Sequence, residues 1–152
     1  MAGSREELAY EVASNSLDRQ EEEISQLRTR TGTLLAAGSL VVSFFGAAAL
    51  GKSGTGPWPA LAIVAFVLFF VASIYLLAPK TALVFSLSGP GVYEETEGQQ
   101  IGAALLQTAR WLHGARESNQ RIMDRLNVVF AAACVALVLE VIFWTLALRS
   151  TI

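Results

Sequence analysis

The sequence predicts an all-α integral membrane protein with three transmembrane helices, whose N-terminal and pre-span-three helices extend into the cytoplasm as a stalk. Three observations predict it. Hydrophobic residues make up 53% of the 152 residues and charged residues only 16%, a balance too apolar for an ordinary soluble domain. Thr31 to Gly51 and Ser53 to Pro79 carry no charge, and Leu126 to Leu148 carries only Glu140. A helix needs roughly 20 apolar residues to cross a ~30 Å hydrocarbon core, and all three runs reach that length. Finally, Lys and Arg are segregated. Arg28 and Arg30 precede the first run, and Lys80, Arg110, Arg116, Arg121 and Arg125 lie between the second and third, while the remaining connection and tail hold only Lys52 and Arg149.

The elements follow in order. Residues 5–30 form a cytoplasmic helix with a sparse heptad, Tyr10, Leu17, Ile24 and Thr31, accompanied by Ala13, Gln20, Leu27 and Leu34. Residues 31–51 are span one. Span two covers 57–79, with Pro57 and Pro59 in its first turn, where a missing N–H costs nothing. Residues 80–97 are an irregular cytoplasmic connection. Its segment Thr81 to Leu87 is β-prone and apolar, suited either to the headgroup region or to packing on the stalk, and Ser88-Gly89-Pro90-Gly91 signals a turn. No proline follows Pro90, so Glu97 to Arg149 reads as one helix, residues 98–125 in the cytoplasm and 126–148 as span three. Its seam runs Ile101, Leu105, Thr108, Leu112, Ala115, Asn119 and Ile122.

The positive-inside rule puts the N-terminus in the cytoplasm and the C-terminus outside. Trp58 and Trp144 suit an interfacial aromatic belt. The acidic start (Glu6, Glu7, Glu11, Asp18, Glu21, Glu22, Glu23) is unlike the basic region of a cleavable signal peptide, so span one reads as a retained anchor. Of these, Glu21, Glu22 and Glu23 sit at the height of Arg116 on the second stalk helix, a complementary charge pattern.

Motifs of catalysis are few and unpersuasive. Gly46-Ala47-Ala48-Ala49-Leu50-Gly51-Lys52-Ser53 satisfies the P-loop pattern, but a P-loop needs a preceding strand and a following helix N-terminus, and here the pattern begins inside a span. His113 is the only histidine and has no companion at ligand spacing. Cys134 is the only cysteine and sits in an apolar run. No enzyme activity, cofactor or metal is expected. The formal net charge of −2 implies no nucleic-acid partner.

What can carry function lies in the spans. Ser39, Ser43, Ala47 and Gly51 give span one a small residue at every fourth position, a face that permits close helix approach within one chain or between subunits. Glu140 is an acid inside a span, where it is expensive unless it faces the bundle or water. It falls near the face of Asn119 and Ile122, a seam on which a polar Asn can fix register and oligomer state. Its readings are a pore-lining or proton-linked charge, a neutral hydrogen-bonding link between helices, or a group snorkelling to the interface.

The acidic N-terminal helix leading through Arg28-Thr29-Arg30-Thr31-Gly32 into span one, the short outer connection and the long helix running into the last span together resemble small helical membrane effectors of bacterial anti-phage defence, the Pycsar transmembrane type and the related SLATT type. The resemblance covers most of the chain. It implies an oligomer that breaches the inner membrane when triggered by a nucleotide signal or a protein partner, although no ligand-sensing domain is recognisable here. The expectation is therefore a homo-oligomeric pore-forming or membrane-disrupting effector of the bacterial inner membrane, in contact with the lipid bilayer and with a cytoplasmic protein or signal. The alternative is a non-catalytic accessory or scaffold subunit that binds another protein through its cytoplasmic helices.

Overall fold

No proline interrupts the chain before Pro57, and a continuous helical segment results. It comprises α1 (Arg5–Val41), one π turn (Val42–Gly46) and α2 (Ala47–Leu50). Two further helices follow, α3 (Pro57–Leu77) and α4 (Ile101–Arg149). The computed structural model describes residues 5–50, 57–79, 83, 92 and 96–150, and no strand occurs among them. All three long helical segments are long and apolar enough to cross a membrane. Gly51, Lys52, Ser53, the turn Ser88 to Gly91 and, Leu83 apart, the segment Thr81 to Leu87 lie outside the described residues.

Two helix ends differ from the sequence expectation. Span two was expected to run to Pro79, but α3 stops at Leu77, because a residue preceding proline is pushed out of the helical region. The third helix was expected from Glu97 and starts at Ile101. Gly98 adopts φ +80, a left-handed conformation that interrupts a right-handed helix and is cheap only for glycine.

The chain divides into two units, Met1–Gln26 with Lys80–Asp124, and Leu27–Pro79 with Arg125–Ile152. The first is built on a parallel helix pair. Position 102 abuts Glu6, and Gln20 Nε2 donates to the Arg116 carbonyl and to Gln120 Oε1, both at 3.3 Å, so the partners keep a separation of 96 to 100 residues. Leu17, Ile24, Ala109, Leu112 and Met123 are buried, with Asn119 fully buried among the polar residues. The expected match of Glu21, Glu22 and Glu23 to Arg116 forms no ion pair among the described residues. The neutral Gln20 takes the place next to Arg116, and the two charged faces stay in the open.

In the second unit α3 buries Pro59, Ala62, Ala65, Phe69, Ser73 and Leu76, a spacing of three and four that keeps one stripe inward. A small core joins Ala49, Ala62, Trp144 and Ala147, flanked by Val41, Phe45, Trp58, Phe143 and Leu148. The opposite faces are apolar and exposed, with Phe44, Leu68, Val71, Val128 and Val135 among them. Hydroxyls inside this unit are satisfied locally. Those of Thr31, Ser39, Ser43, Ser73 and Thr145 each donate to the carbonyl four residues back at 2.8–2.9 Å. That solution needs neither water nor a second helix, which suits a hydrocarbon environment.

Candidate functional site

Heptads set the inward faces of both units. In the first, Leu17 and Ile24 of α1 and Leu112 and Asn119 of α4 are buried; in the second, which holds the site, Thr31 and Gly38 of α1 and Leu126, Ala133, Glu140 and Ala147 of α4 are buried. A seven-residue repeat returns to nearly the same helix face, drifting by ~20° per step. Glu140 is thus placed by the same rule that places its apolar neighbours, and its exposure is 0%.

Both Glu140 carboxylate oxygens lack a hydrogen-bond partner, and so does the indole Nε1 of Trp144. Trp144 lies one turn beyond, with its N–H turned toward Glu140 but short of full hydrogen-bond geometry. A buried acceptor and a buried donor therefore face each other inside an otherwise apolar unit without a formed hydrogen bond. Each unpaired buried group costs about 1–3 kcal/mol. Trp144 is 1% exposed, because it falls on the face of Glu140 and Ala147 and packs against Ala49, Ala62 and Gly46. Trp58 stacks on Phe143, with ring centroids 6.3 Å apart.

Close approach of α1 and α3 rests on a glycine that the small-residue pattern did not single out. A Cβ at Gly38 would run into the ring of Phe69, whereas one at Gly46 would meet the Trp144 ring at 3.6 Å, an ordinary contact. Gly38 and Gly46 are eight residues apart. In a straight α-helix a spacing of four drifts by about 40° per step. The wider π turn between them absorbs part of that drift and returns Gly46 to the buried side. The expected face of Ser39, Ser43 and Ala47 is exposed, one residue round from the buried glycines, and Gly51 lies outside the described residues.

The other singled-out positions divide clearly. Leu112 is buried, Leu105 and Ile122 are half-buried, and Ile101 is 81% exposed at the start of α4. His113 is exposed, with Nε2 at 3.6 Å from the Glu117 carboxylate one turn on. No group of three His, Cys, Asp or Glu residues capable of holding a metal occurs among the described residues. Gly46 to Leu50 of the P-loop match is helical.

The first unit carries an open groove beside its helix pair. Two adjoining depressions, of about 580 and 420 Å³, share Val12, Ser16 and Arg116. Arg5, Arg19, Arg110 and Arg116 stand around them, and Leu8 and Val12 contribute apolar surface. Comparison with family models, with curated proteins and with solved structures found no match to this chain.

Proposed function

We propose that the chain is a non-catalytic, homo-oligomeric effector of the bacterial inner membrane that opens a pore or otherwise disrupts the bilayer. Its first unit would form the cytoplasmic stalk, with the N-terminus inside and the C-terminus in the periplasm, as the distribution of Lys and Arg indicates. The resemblance to anti-phage membrane effectors supplies the biological setting. The observation that carries the reading is Glu140, wholly buried in an apolar unit with both oxygens unpaired.

A carboxyl group so placed weakens the arrangement in which it is buried. A leucine would pack there without leaving polar atoms unpaired. The acid is useful in a protein with a second state, in which α4 turns Glu140 toward water and the strain of the closed state is released. A second reading, an accessory subunit for a cytoplasmic protein, draws on the exposed groove of the first unit.

Glu140→Gln tests the first reading, because it keeps shape and hydrogen-bonding capacity while deleting the charge. In liposomes the variant is expected to assemble as the wild type does but to pass ions at a changed rate or selectivity. Glu140→Leu removes both buried carboxylate oxygens but leaves the Trp144 N–H facing an apolar side chain, and is expected to suppress ion passage. Identical conductance and selectivity in wild type and Glu140→Gln would sink the pathway role of this residue.

A further inference from the structure

The groove of the first unit is lined by four arginines against one acid, Glu23, and the same unit carries an exposed acidic face. Glu11, Asp18 and Glu21 recur at spacings of seven and three, so they share one side of α1. All three are exposed. The groove uses a different side of α1, that of Arg5, Leu8, Val12, Ser16 and Arg19. Neither the three carboxylates nor the guanidinium groups of Arg5, Arg19, Arg110 and Arg116 has an ion-pair partner among the described residues. Leu8 and Val12, 61% and 60% exposed, leave apolar surface between the cations open to a partner. One copy therefore offers both halves of a complementary surface, on sides of the helix that cannot meet each other.

We propose that copies associate head to tail through this unit, the acidic face of one α1 seating in the cationic groove of the next copy. The proposal rests on the homo-oligomeric reading and specifies its interface. Because the two surfaces differ, the contact is heterologous, and each added copy leaves one groove and one acidic face free until a ring closes. Charge also sets orientation. A parallel register brings carboxylates to guanidinium groups, whereas groove against groove or acid against acid places like charges together. The contact is ionic and open to water, so it weakens as salt rises.

Charge reversal in the full-length protein tests this. One variant carries Arg110→Glu and Arg116→Glu, the other Glu11→Arg, Asp18→Arg and Glu21→Arg. All five positions are exposed, and helical content by circular dichroism serves as the folding control. Subunit number is read by native mass spectrometry at fixed concentration. The expected result is an oligomeric wild type, at least tenfold weaker self-association for each variant alone, and recovery of oligomers containing both chains when the variants are mixed. A wild type that is oligomeric and indifferent to either reversal overturns this interface and leaves the oligomer reading standing. Loss of assembly on groove reversal alone also overturns it, since the groove would then hold another anion. A wild type that is monomeric overturns the interface and the oligomer reading together.

Discussion

Replacing Gly38 by alanine adds one methyl group where the Phe69 ring already lies. Phe69 is 0% exposed, so its ring cannot swing outward without moving α3 or its neighbours. Adding a methylene-sized group to a packed interior costs about 1–3 kcal/mol. Against this, alanine is favoured over glycine inside a helix by about 1 kcal/mol. Gly32, on the same helix, provides the control, because nothing lies within 4 Å of a Cβ built there. Gly32→Ala is therefore expected to gain part of that ~1 kcal/mol, and Gly38→Ala to fall about 1–3 kcal/mol below it. Denaturant unfolding in detergent micelles, followed by circular dichroism, measures the difference. Adding Phe69→Leu to Gly38→Ala should recover part of the loss. If both alanine variants unfold at the same denaturant concentration, the close approach of α1 and α3 at Gly38 is wrong.

The helix pair of the first unit makes its own prediction. Leu112 is 5% exposed, and Leu112→Asp removes an apolar side chain worth about 1.5–3 kcal/mol while burying an unpaired carboxylate. Amide exchange around Leu17 and Ile24 is expected to rise at least tenfold in this variant, with weaker assembly in native mass spectrometry. Unchanged exchange and subunit number would contradict the packing of α1 on α4. Ile101→Asp, at an 81% exposed position on the same predicted seam, is expected to leave both measurements unchanged, since no burial is lost there.

Helix content and the inward faces of α1 and α4 were legible because polar residues on those helices leave the seven-residue pattern visible. Leu17, Ile24 and Thr31, and likewise Leu112, Asn119 and Glu140, could be placed by spacing alone, whereas Tyr10, the first residue of the α1 heptad, is exposed. The burial of Glu140 followed from the cost of an acid in lipid. The inward face of α3 was not legible, because nearly every residue of that span is apolar and no polar side marks the outside. Nor was the burial of Trp144 legible, because it depends on packing against Ala49 and Ala62 from other helices of the unit. The stripe of Ser39, Ser43 and Ala47 is exposed, one position round from the buried Gly38 and Gly46. Gly38 and Gly46 are eight residues apart with Val42 between them, so a spacing of four passes over them, and the π turn that brings Gly46 inward has no sequence signature of its own. Gly98 was a visible punctuation mark whose left-handed conformation delays the start of α4.

The account depends first on three crossings of the bilayer, and a pair of topology reporters tests that most directly. One reporter is fused after Ile152 and one at Gly91, in the connection between the second and third apolar helices. With three spans and basic residues inside, the fusion at Ile152 reports the periplasm and the fusion at Gly91 reports the cytoplasm. Both fusions reporting the same side would mean that α4 does not cross the membrane, and the three-span account would be contradicted.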